Sequence, residues 1–148
     1  MRTFGRIFAL VGAFTCLALV TTAASGGTRE NMGITSVEIA QLPTFCWGSL
    51  EVPNSTGAQF NFPASCGPGM NHYCGGLVKL IRAKHAPNKQ QRMSLLGGAA
   101  TDIRYTENAM KDYPGCPIRD HVAASKVEVN NIIRMYGGAA PSTPALPK

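Results

Sequence analysis

Met70, His72, Tyr73 and Cys74 fall within the stretch GMNHYCGGL, residues 69–77. Methionine, histidine and cysteine are soft or borderline donors, and together they suit copper. A cysteine near a histidine is also the starting material of a thiolate nucleophile with its base. The third use is structural, one half of a disulfide in a small exported domain. Spacing separates these uses. On a helix, residues two apart point about 200° from each other, so Met70, His72 and Cys74 face one ion only if the stretch is extended. The spacing fits no zinc pattern, and the CxxCH haem signature is absent. A nucleophile needs a free thiolate, a contacting base and an oxyanion hole. His72, His85 and His121 are candidate bases, but the sequence places none of them. Asp120, next to His121, reads more simply as an acid favoured by a helix dipole. There is no glycine-rich phosphate loop, no HExxH and no carboxylate pair at helical spacing. Asn54-Ser55-Thr56 reads as a turn. The expectation is a chain that is not an enzyme and carries no cofactor. Periplasmic copper-type metal handling by Met70, His72 and Cys74 is the alternative.

The chain has 148 residues, five cysteines and a formal charge of +6. Arg2 and Arg6 precede an uncharged apolar run from Ile7 to Val20, and small residues follow to Ser25. The pattern predicts an export signal over 1–25. The run is short for a membrane span, and an uncleaved anchor is the rival. Cys16 lies inside this run, leaving Cys46, Cys66, Cys74 and Cys116. An even count in an exported domain reads as a disulfide framework with three possible connectivities. Without the two signal arginines the formal charge falls from +6 to +4, too little for a nucleic-acid footprint. No acid occurs between Glu51 and Asp102, whereas Lys79, Arg82, Lys84, Lys89 and Arg92 do. These five form either a solvated face or a docking edge for an acidic partner or phospholipid head groups. They are the candidate partner-binding residues.

The elements that hold these groups follow from periodicity and breakers. Residues 26–40 are weakly patterned and predict a flexible lead-in. Residues 41–68 carry Pro43, Pro53, Pro63 and Pro68, which disfavours helix, while Phe45, Trp47, Phe60 and Phe62 can lie on a core. A non-regular but ordered arm is expected. A first helix is predicted from about Met70 to His85, with Met70, Tyr73, Cys74, Leu77, Leu80 and Ile81 on one face. Gly75–Gly76 suggests close approach by another backbone. Pro87 breaks this helix and Asn88 is placed to cap the next. The second helix spans about Lys89 to Asp112, with Met93, Leu96, Ala99, Ala100, Ile103, Thr106 and Met110 inward. Glu107 and Lys111 are spaced to pair, and Gly97–Gly98 can meet Gly75–Gly76. A third helix runs from about Ile118 to Tyr136 on Val122, Val129, Ile132, Ile133 and Tyr136. It stops at Gly137–Gly138, before a Pro/Ala tail over 138–148 that is expected to be disordered.

Two stretches carry a family resemblance: IAQLPTFC, Ile39 to Cys46, and NHYCGGLVKLIRAK, Asn71 to Lys84. Together they resemble exported bacterial tetratricopeptide-repeat proteins of unknown function, in which a leucine-proline…Cys arm precedes a helix opening His-Tyr-Cys. The resemblance implies a small all-α, antiparallel three-helix, tetratricopeptide-like domain over 41–137, with an irregular, disulfide-stapled arm. The chain holds about one and a half repeats, fewer than an independent solenoid uses. In an antiparallel pair, Cys66 before the first helix and Cys116 after the second lie at one end. Cys74 and Cys46 remain, and they match the family's recurring pair. The expected connectivity is Cys46–Cys74 with Cys66–Cys116. The expected function is an interaction or scaffold module of the periplasm or cell envelope. It would have a protein partner or self-association, no nucleic acid, and membrane contact only through the basic edge.

Overall fold

The structure, a computed structural model, describes residues 32–139. The signal expected over 1–25, the first part of the lead-in and residues 140–148 of the tail lie outside the described residues. Within them the chain is all-helical, without a strand. A short helix α1 spans Ser36–Ala40, and three longer ones follow: α2 Asn71–Lys84, α3 Lys89–Ala109 and α4 Arg119–Met135.

The helix ends have local causes. Asn88 adopts an extended backbone, and its side-chain oxygen accepts from the Gln91 amide at 2.8 Å, which caps α3. Gly137 has φ +76° and donates to the Arg134 carbonyl at 3.0 Å, while the Gly138 amide reaches the Ile133 carbonyl. Together they close α4 as a left-handed C-terminal cap. The second predicted helix continues past Ala109 as a 3-10 turn, Met110–Asp112. The lead-in expected to be flexible is ordered over 32–40. Thr35 and Glu38 form a reciprocal capping box around α1, and Ile34 and Ile39 are buried. A five-residue helix shows too little periodicity for a sequence to reveal, and its stability comes from docking.

α2 and α3 are antiparallel. Gly76 faces Ala99 and Ile103, Lys79 faces Gly98 and Asp102, and Arg92 reaches back to Ala83. α3 and α4 are antiparallel too, since Glu107 meets Lys126 near one end and Arg92 meets Tyr136 at the other. Leu80, Leu96, Ile103, Val122, Val129 and Ile133 belong to the main core between these helices.

A second core lies behind α2, where Ile34, Ile39, Leu42, Cys46 and Leu50 pack on Cys74, Val78 and Ile81. α2 is therefore buried on two sides. That is why Val78 is fully buried, although it lies off the single apolar face read from the sequence. The arm is built from three 3-10 turns, Thr44–Cys46, Ala58–Phe60 and Ala64–Cys66. Phe45 packs on Phe62, and Trp47 stacks on Phe60 with ring centroids 5.5 Å apart. Two disulfides join the arm to the helices, Cys46–Cys74 and Cys66–Cys116. Such bonds belong to a non-reducing environment. Among the described residues no helix is long and apolar enough to cross a membrane.

Two packing expectations are corrected. The glycine pairs do not meet each other. A Cβ on Gly76 would lie 3.1 Å from the Asp102 Cβ, whereas Gly98 lies under the Lys79 stem. Glu107 pairs not with Lys111 but across the helix interface, with both oxygens on Lys126 Nζ at 2.7 and 2.8 Å. An interhelical partner at hydrogen-bond distance outcompetes a solvated pair along one helix.

Candidate functional site

The opening motif is taken apart by the fold. Met70 is buried in the main core. Cys74 is bonded to Cys46, so its sulfur is not a thiolate. His72 lies in the first turn of α2. Its ring packs on Tyr105, centroids 4.2 Å apart, with Nδ1 3.8 Å from Asp102 Oδ1. Met70, His72 and Cys74 do not share a site: Met70 lies in the main core, Cys74 is spent in a disulfide, and His72 lies against Tyr105. Among the described residues no three His, Cys, Asp or Glu side chains cluster for a metal.

Tyr73, fully buried, has the most confined polar group of the motif. Its hydroxyl hydrogen-bonds the Ser125 hydroxyl at 2.8 Å. Burial pushes the Tyr73 hydroxyl's pKa up, the Ser125 bond opposes this, and the Glu128 charge adds to the rise. Ser125 was missed from the sequence. It lies three residues after Val122 and four before Val129, and that place in the apolar stripe of α4 was the available signal.

The five basic residues do not form an unpaired edge. Lys79 Nζ is 2.6 Å from Asp102 Oδ2, and Lys84 Nζ is 2.7 Å from Glu128 Oε1. Arg82 Nε lies 2.6 Å from Glu38 Oε1, and its Nη2 donates to the Met32 and Gly33 carbonyls at 3.0 Å. Arg92 donates to the Ala83 and Ala86 carbonyls and lies over the Tyr136 ring. Lys89 is exposed at the start of α3. Four of the five cations therefore stitch helices and arm together.

The Arg82–Glu38 pair instead forms the wall of a groove. α1 lies along the C-terminal end of α2, and the turn into α3 closes the far side. The space measures about 620 Å³, within the range of about 300–1,000 Å³ common for ligand sites. Ile81 and Ala86 are its buried apolar lining, Leu95 is half-buried, and Val37 stands 70% exposed beside it. Gln41, Gln91 and His85 add polar groups. Gln41 spends its amide nitrogen on the Val37 carbonyl at 3.3 Å and keeps its oxygen as an acceptor. Glu38 is 13% exposed, and its pKa is lowered from 4.5 to about 2. The Arg82 hydrogen bond is the main cause. Burial opposes it, and the Thr35 amide and hydroxyl assist it.

The groove can hold apolar side chains and offer amide groups to a backbone. Sequence reasoning missed it because one wall is α1, inside the segment expected to be flexible. No protein-family model matches the chain, and no curated protein or solved structure matches it either.

Proposed function

We propose that this chain is a non-catalytic interaction module of the bacterial cell envelope, which receives a segment of a partner protein in the groove beside α1. The groove itself carries the reading. Its apolar lining ends in polar rim groups, and the Glu38–Arg82 pair holds α1 against α2 along one wall. Preorganised walls reduce the ordering cost of binding. Gln41 and Gln91 carry the amide chemistry that pairs with a peptide backbone. The finer reading is tetratricopeptide-like: α2 and α3 form one helical hairpin, and α4 opens the next. The antiparallel order of α2, α3 and α4 supports it. Export through a signal at 1–25 completes the proposal, and the two disulfides support it.

The test is selection of binding peptides from a displayed library, followed by mapping of the best binder by amide chemical shifts. The shifts should centre on residues 35–41, 81–87 and 91–95. Val37→Glu, at an exposed position, should weaken binding at least tenfold. Binders that map elsewhere, or are indifferent to Val37→Glu, would sink the groove as the site.

A further inference from the structure

α4 turns Val122, Ser125, Val129 and Ile133 into the fold. Its opposite face is open along its whole length. Asp120, Ala123, Val127, Asn131, Arg134 and Met135 are all exposed there, and steps of three, four and seven residues put them on one side of the helix. Two of them are large apolar side chains, with Val127 60% and Met135 74% exposed. No other described element covers them.

The face is also ordered in charge. Asp120 stands in the first turn and Arg134 in the last. Neither makes an ion pair among the described residues. Val127 is seven residues from each. Residues seven apart lie within about 20° of one another around a helix, so acid, valine and base fall on one line. The dipole of α4 favours this sign of charge at each end, but it gives no reason for exposed Val127 and Met135 between and beside them.

Reversing such a line exchanges its charged ends. When two copies of α4 lie antiparallel with Val127 over Val127, each Asp120 comes opposite an Arg134 and each Ala123 opposite an Asn131. A twofold interface needs a patch complementary to itself, and this face has that property. The small Ala123 and Ala124 let two helix axes come close, and the Asn131 carboxamide can both donate and accept. A parallel pairing would instead set Asp120 on Asp120 and Arg134 on Arg134, and like charges repel.

We propose that the outer face of α4 is a self-association surface, on which two copies of this chain pair antiparallel about a twofold axis at Val127. No residue of α4 lines the groove beside α1, so the pairing leaves that lining unused. One face of a 17-residue helix is small beside the roughly 800 Å² that each partner buries in a standard interface. The pairing is therefore weak, with an expected dissociation constant of about 10–500 µM.

The test is sedimentation velocity of the disulfide-bonded protein over a concentration series reaching about 1 mM. Val127→Glu should weaken association at least tenfold. Asp120→Lys and Arg134→Asp should each do the same when alone. Mixed one to one, these two charge variants restore opposite charges at both ends of an antiparallel pair, and the mixture should associate again. That recovery also shows that both variants are folded. Val37→Glu, in the groove, should change association less than twofold. A protein that stays monomeric throughout the series, a dimer indifferent to Val127→Glu, or charge variants that do not rescue each other would overturn the proposal.

Discussion

Glu38 and Arg82 are 44 positions apart, and their contact at 2.6 Å holds α1 to α2. Because the Glu38 carboxyl is lowered to about 2 from 4.5, its contribution to stability has a definite pH window. The folded state binds this proton less readily than the unfolded state. The stabilisation is therefore complete above about 4.5 and is lost as pH falls toward about 2. Urea unfolding across that window should show wild type losing stability faster than Glu38→Gln. The two proteins should converge at the acid end, and parallel curves would refute the assignment. The same pair shows what the sequence hid at this scale. The basic residues between Glu51 and Asp102 looked unpaired because no acid lies among them in sequence. Their partners Glu38, Asp102 and Glu128 come from α1, α3 and α4. Charge runs are read along the chain, whereas ion pairs form across it.

At the scale of elements, the three long helices were legible to within three residues at each end. Their stops were explicit: Asn88 as a cap, Pro87 and Pro114 as breakers, and Gly137 as a left-handed end. Less legible was which faces are buried, because α2 carries two layers and a single stripe cannot describe it. Glycines separate the packed surfaces from the open ones. A Cβ on Gly97, inside α3, meets nothing within 4 Å. Gly97→Ala should therefore stabilise the fold by about 1 kcal/mol through helix propensity alone. Gly67 is the opposite case. It holds φ +71°, and a Cβ there would run into the Tyr113 ring. Gly67→Ala should destabilise by at least about 1–3 kcal/mol. Thermal unfolding of the two variants should move in opposite directions, and a stabilising Gly67→Ala would mean that Tyr113 swings away freely.

For the whole molecule, the arm and the helical layer are two cores joined through α2 and two disulfides. The loop between Cys66 and Cys116 spans 50 residues and that between Cys46 and Cys74 spans 28. Chain-entropy reasoning gives about 4 and about 3.5 kcal/mol respectively, each a large share of the stability of a small domain. Trp47, the single tryptophan, lies in the arm on Phe60 and reports the second core directly. Replacing Cys46 and Cys74 by alanine should shift Trp47 emission to the red, with helical circular dichroism largely kept. Replacing Cys66 and Cys116 should lower the urea midpoint further. A variant lacking Cys46–Cys74 with unchanged Trp47 emission would show that the arm docks by packing alone. The pairing has one more consequence. Along the chain the order is Cys46, Cys66, Cys74, Cys116, so the two covalent loops interleave rather than nest. A single backbone cut anywhere between Cys46 and Cys116 separates at least one bonded pair onto different fragments, and that bond keeps the fragments together. One protease nick in the arm or in the turn between α2 and α3 therefore leaves a single covalent molecule.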